Sequence, residues 1–181
     1  IESEDNLSRL IRLSMDTNWK LWNLEDSARM AELGSEHVAI TKQKIDKNNT
    51  IRNNLMREID IEIVKQMDTS SGSQELFYSE SPGMIIDRLS ILFIKLSVIR
   101  DLLLVIKEKD LKKEYMEKEG IISEKINRIG NFLDSYLNKL RRKEISFDIQ
   151  HPVKIYNDRR IVEYIKILKN RRENDLKILG Q

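Results

Sequence analysis

Carboxylate, guanidinium and amide side chains recur at helical intervals in three separate stretches of the chain. Asp46, Asn49, Asn53, Arg57 and Asp60 follow one another at steps of three and four, which puts them on one stripe of a helix, with Arg52 and Glu58 beside it. Glu25, Asp26 and Arg29 come just after the pair Trp19 and Trp22, and Asp87 and Arg88 interrupt a run of Ile and Leu. Charges inside an otherwise apolar helix are costly to bury unless they are paired. One reading makes them structural salt bridges and amide hydrogen bonds where three helices meet. A second makes them a polar pocket, in which Glu25, Asp26, Asp60 and Asp87 hold a divalent cation, magnesium or manganese, while Arg52, Arg57 and Arg88 reach a phosphate. A third leaves them on solvated helix faces.

The remaining chemistry-bearing residues are few. Trp19 and Trp22, with Leu21 and Leu24 beside them, read most simply as a core anchor, and otherwise as a platform on which a ligand stacks. Phe77 and Tyr78 precede the Ser81-Pro82-Gly83 turn, where they either close over a pocket or pin the loop down. His37 and His151 are far apart, each in a polar or loop context, as surface histidines usually are. There is no Gly-rich phosphate loop, dinucleotide fingerprint, His-Glu-x-x-His helix or Gly-x-Ser-x-Gly elbow, so no cofactor is evident. The absence of cysteine excludes thiolate catalysis and disulfides and agrees with a cytoplasmic location.

These residues need a helical scaffold, and the apolar spacing supplies one. Leu7, Ile11, Met15, Trp19 and Trp22 define a first helix from Asp5 to about Met30. Gly34 is a natural break and Ser35 a cap for the second helix, which runs to Met67 on Ile45, Leu55, Ile59 and Ile63. Asp68 to Gln74 is a loop of turn formers. Ser81 then caps, and Pro82 opens, a third helix so apolar around its circumference, from Ile85 to Ile106, that it belongs at the centre. A fourth spans about Leu111 to Arg142, with Gly120 and Gly130 as weak points and Gly120 the place for a break. Ser146 to Asn157 reads as an extended connector or edge strand, and a last helix covers Asp158 to about Ile178.

The fold class is therefore all-α, a single helical domain over residues 1–181: a bundle of about five helices with a short extended connector before the last. A length of 181 residues suits one core without staples. No apolar run approaches the roughly 18–20 residues of a membrane span, and Ile1 to Asp5 lacks the basic and apolar regions of a secretory leader. A net charge of +2 does not call for nucleic acid, and the basic residues after Asn138 are interspersed with acids.

Three segments, Asn18 to Arg29, Ile45 to Asn53 and Ser81 to Leu92, together with Lys154-Ile155-Tyr156-Asn157-Asp158, resemble in the same order an uncharacterised bacterial family, the domain-of-unknown-function family numbered 4254. The family-typical positions are Trp19, Trp22, Glu25, Asp26, Arg29, Asn49, Arg52, Asn53, Asp87, Arg88, Tyr156, Asn157 and Asp158, a mostly polar set that favours a pocket over pure packing. Asn23 stands where the family tends to have a histidine. The resemblance implies an association with the glycosyltransferases of lipopolysaccharide and other surface-polysaccharide pathways, and no established activity.

The leading expectation is a non-catalytic helical accessory or binding protein of surface-polysaccharide assembly, in contact with a glycosyltransferase or another protein of that assembly and able to form a homodimer. The rival is a metal-dependent hydrolase or transferase for a phosphorylated or nucleotide-sugar substrate. A purely structural oligomer, the third, requires large apolar helix faces left exposed on the monomer.

Overall fold

The computed structural model describes residues 5–67, 76–150 and 159–179. They form an all-α protein whose helices are α1 (Asn6–Ala28), α2 (Ser35–Met67), α3 (Pro82–Val105), α4 (Lys109–Arg141) and α5 (Val162–Leu179). The chain divides into two compact units, Ile1–Ile149 and Gln150–Gln181. The second contains α5 and the 3₁₀ turn Arg159–Ile161 before it. Along α5, Ile165 is half-buried while Tyr164, Ile167 and Leu168 are exposed. Among the described residues, no helix is long and apolar enough to cross a membrane.

In the first unit α1 packs chiefly on α2 and α3 on α4, and α3 touches α1, α2 and α4, the central place its composition requires. The local signals hold at its start. Ser81 accepts from the Met84 N–H at 3.3 Å, and Pro82 occupies the first turn, where it costs no hydrogen bond. Asp5 caps α1 through the Ser8 N–H at 3.0 Å. Before α2 the cap is one residue earlier than the composition suggested: Gly34, at φ 88°, supplies the carbonyl that accepts from the Val38 N–H, so Ser35 is already inside the helix.

Other expectations need correction. α4 runs through Gly120 without a break, because both glycines lie inside a long helix with no neighbour near the missing Cβ, and a glycine there costs only about 1 kcal/mol. The line of α1 that is buried is Leu10, Ser14, Asn18 and Leu21, not the stripe ending in the two tryptophans. Small and polar residues at 14 and 18 suit a close approach to α3, and the larger Trp19 and Trp22 sit half-buried beside it. The connector does contain a strand: Ser146–Phe147 pairs in parallel with Phe77–Tyr78. The Tyr78 ring stacks on Tyr136 at 5.0 Å and lies 6.3 Å from Phe132, so Tyr78 pins the segment to α4, while Phe77 is exposed. Residues 68–75, with the expected loop, and 151–158 lie outside the described residues.

Two apolar clusters fasten the helices. Ile85, Tyr136, Leu140, Ile145 and Phe147 join α3 to α4 and the short strand pair, and Leu10, Ile59 and Ile63 join α1 to α2. Each fully buried side chain of this size contributes about 1.5–3 kcal/mol. The second cluster sets the spacing of α1 and α2, and thereby the width of the cleft that opens further along them.

Candidate functional site: a polar cleft between the first three helices

Six of the positions singled out by residue type gather at one place. Trp22, Glu25 and Asp26 from α1, Arg29 from its C-cap, and Asn49 and Arg52 from α2 line a hollow of about 250 Å³, closed by Asn18, Leu21 and Ile91. A second hollow of about 360 Å³ adjoins it, with Arg52 and Ile91 in the wall of both, and contains Asn53, Asp87 and Arg88. Of the polar stripe on α2, Asn49 lines the first hollow and Asn53 the second, with Arg52, from beside the stripe, in both; Asp46, Arg57 and Asp60 line neither. Trp19 is half-buried and lines neither hollow. Tyr156, Asn157 and Asp158 lie outside the described residues.

Asp87 anchors the floor. Its carboxylate is buried and accepts from Arg52 Nε at 2.8 Å and from Asn18 Nδ2 at 2.9 Å. Arg52 Nη2 donates to the second carboxylate oxygen at 2.5 Å. Asn18 Nδ2 also lies 2.5 Å from Ser90 Oγ, and Ser90 donates back to the Asp87 carbonyl at 2.8 Å. A two-point contact of this kind fixes the guanidinium plane, and its hydrogen bonds to Asp87 push the Arg52 pKa up. Asn18 and Ser90 were not recognisable as site residues one by one, because the line of α1 that holds Asn18 shows itself as interior only once α3 supplies its partners.

The other charges are largely committed. Asp26 pairs with Arg29 at 3.1 Å, Arg88 with Glu80, and Arg57 with Glu58 at 3.7 Å. Glu25 is exposed at the cleft and has no hydrogen-bond or ion-pair partner among the described residues.

The structure does not gather the four carboxylates proposed as cation ligands. Glu25 and Asp26 lie on the α1 wall and Asp87 is held by Arg52 and Asn18. Asp60 is fully buried at the start of α3, where it accepts from the Gly83 N–H at 2.7 Å. Among the described residues, no group of three His, Cys, Asp or Glu side chains is placed to hold a metal ion. Burial pushes the Asp60 pKa up to about 6, against the opposing hydrogen bonds from Ser81 and Gly83. Gly83 is required by the same contact, because a Cβ there would lie 2.3 Å from the Met56 carbonyl oxygen and 2.9 Å from Asp60 Oδ1. His37 lies outside this machinery, its Nε2 3.0 Å from Ser27 Oγ, and His151 is outside the described residues.

An all-α unit with a polar cleft at the meeting of three helices, its arginines neutralised from within the protein, is the class that this geometry defines. The model of one family, described as "Protein of unknown function (DUF4254)", matches residues 8–144, and the chain belongs to that family. The match takes in α1, α2 and α3 and so both hollows of the cleft. No curated protein and no solved structure matches the chain.

Proposed function

We propose that this chain is a non-catalytic binding protein of bacterial surface-polysaccharide assembly, acting in the cytoplasm, and that the cleft between α1, α2 and α3 receives a saccharide. The observation that carries the proposal is the lining of the first hollow. An indole from Trp22, an amide from Asn49, the carboxylate of Glu25, unpaired among the described residues, and the outward N–H groups of Arg52 surround a space of about 250 Å³. An aromatic wall with a few fixed polar groups is how small-molecule sites combine contact area with orientation, and planar donors and acceptors match the hydroxyls of a sugar.

Charge supports a neutral group in that hollow. Arg29 and Arg52 are each matched by an aspartate, which leaves no net positive charge there to attract a phosphate. The dispersed carboxylates likewise favour binding over metal-assisted hydrolysis, because a cation needs several oxygens at one point.

A homodimer belongs to the same proposal. Leu104 is 85% and Val105 67% exposed at the end of α3, and Met116 and Ile121 of α4 are more than half exposed. Residues 100–119 carry six basic and six acidic side chains. A two-fold interface sets one surface against itself, so exposed apolar side chains amid balanced charge suit a second copy.

Titration calorimetry against neutral mono- and oligosaccharides tests the binding reading, with Trp22→Ala and Glu25→Gln as controls. Binding that both variants weaken supports it. Magnesium-dependent turnover of a nucleotide sugar, lost in Glu25→Gln, overturns it in favour of a metal-dependent hydrolase or transferase.

A further inference from the structure

Beyond the cleft, α3 borders a further hollow. A third hollow, of about 530 Å³, lies between α3 and α4, and Arg88 stands in its wall as well as in that of the second hollow. Positions on α3 account for the order of the hollows. At 100° per residue, Asp87, Ile91, Met84 and Arg88 cover one arc facing the second hollow, and Arg88, Leu92 and Ile85 cover the next arc, facing the third. Arg88 is the shared edge, so the three hollows succeed one another around a single helix.

The electrostatic character changes along that path. In the first hollow the two arginines are matched by Asp26 and Asp87, and the group left unpaired among the described residues is the carboxylate of Glu25. In the third hollow Arg88 is matched by Glu80, and the groups left unpaired among the described residues are Lys125 and Arg128. These two cations lie three residues apart on α4 and so share one face, where like charges repel. Glu124, one turn before Arg128, makes no ion pair with it. Ile85, Ile129 and Phe132 supply the apolar part of the same hollow. An anion seated between Lys125 and Arg128 relieves the repulsion and gains charge-assisted hydrogen bonds from both.

We propose that the ligand of this protein is a saccharide bearing an acidic group, a phosphate ester or a carboxylate, with its neutral sugar against Trp22 and its anion between Lys125 and Arg128. The inference rests on the saccharide reading of the first hollow and adds a second, charge-selective subsite on the far side of Arg88. It also accounts for the extent of the groove, since the second and third hollows each reach the size range of small-molecule sites and a single sugar does not span all three.

The test uses the full chain on an array of oligosaccharides that contains matched neutral, phosphorylated and uronic acid members, followed by calorimetry on the best matched set and on inorganic phosphate alone. Acidic members should bind roughly tenfold or more tightly than their neutral counterparts, the scale of a hydrogen bond to a charged group. That preference should fall with added salt. The paired substitutions Lys125→Gln and Arg128→Gln, both on an exposed face, should abolish the preference, so that acidic and neutral members of a matched set bind alike. A phosphate-specific or carboxylate-specific preference tells the two acidic groups apart. Neutral and acidic members that bind equally, or a preference that survives both substitutions, overturn this inference and leave the saccharide reading standing. Binding of inorganic phosphate alone, with no saccharide bound, overturns both.

Discussion

The guanidinium of Arg52 on α2 and the carboxylate of Asp87 on α3 meet through two hydrogen bonds, at 2.8 and 2.5 Å, with the Arg52 side chain 28% and the Asp87 side chain 5% exposed. The contact does two jobs at once: it ties α2 to α3 and it presents the remaining guanidinium N–H groups to the cleft. Asp87→Ala leaves Arg52 uncompensated and Asn18 with a lost acceptor. Removing one partner of a buried pair costs about 3–5 kcal/mol. At roughly 2–4 °C per kcal/mol for a chain of this size, thermal unfolding should come about 6–20 °C earlier. Replacing both partners, Arg52→Met with Asp87→Leu, should recover most of that loss while removing ligand binding. A double variant as unstable as the single one would show that the pair is not the source of the effect.

Gly83 sets how closely α3 can approach α2. Gly83→Ala puts a Cβ 2.3 Å from a backbone oxygen, that of Met56, and backbone cannot move aside as a side chain can. Overpacking of this kind costs about 1–3 kcal/mol or more. Denaturant titration should show a lower midpoint at unchanged slope, since the unfolded chain exposes nearly the same surface. An unaltered midpoint would mean that the helices do not approach as closely as the structure shows.

How far the sequence discloses this arrangement depends on the range of the physics involved. Ser81 and Pro82 fix the start of α3 by local hydrogen bonding and a preset φ, and Ile45, Ile59 and Ile63 disclose the buried face of α2 by spacing alone. The interior line of α1 is hidden because Ser14 and Asn18 look like surface residues until Asp87 and Ser90, about seventy positions later, supply partners for Asn18. Asp60 has the same difficulty. It stands in a polar stripe with Asn53 and Arg57, yet packing against Gly83 takes it out of water. The pairing of Phe77–Tyr78 with Ser146–Phe147 is two residues long and joins distant segments, too short for any period to show. The polar cleft itself is legible, because Trp22, Glu25, Asn49 and Arg52 declare themselves by type and spacing.

Asp60 gives the protein a pH dependence of definite sign. Its folded-state pKa is raised to about 6 from an ordinary 3.8, so the folded protein holds the proton more tightly than the unfolded chain between those values. Stability from this group is therefore greatest in acid and declines as pH rises from about 4 to 6. At 1.36 kcal/mol per unit, the loss is roughly 3 kcal/mol. Glu62 acts in the opposite sense: hydrogen bonds from Asn6 and Gln66 hold its pKa below the usual range, so its contribution is lost as pH falls below about 4.5. The difference between the wild type and Asp60→Asn across pH 4–7 isolates the first effect, because Asp60→Asn removes the decline. Parallel stability curves for the two proteins would contradict the raised pKa.

The uncovered end of α3 makes the oligomeric state a direct measurement. Leu104→Glu with Val105→Glu adds charge to the two most exposed apolar side chains of that helix without touching the core. If a second copy covers them, sedimentation should show the wild type shifting from monomer to dimer with concentration and the variant remaining monomeric. A wild type that stays monomeric at high concentration removes the homodimer from the proposal.

Trp22 and Trp19 can be told apart by fluorescence, and their difference bears on the site. Trp22 lines the first hollow, whereas Trp19 is half-buried outside both hollows of the cleft. With Trp19→Phe the only indole left is at the cleft, and with Trp22→Phe the only one left is away from it, since the chain has two tryptophans. A saccharide that enters the first hollow replaces water around Trp22, which alters its emission. Titration should therefore change the spectrum of Trp19→Phe and leave that of Trp22→Phe nearly constant. Equal responses from the two variants would point to a conformational change of the whole bundle. A response confined to Trp22→Phe would place the ligand elsewhere and end the case for the cleft.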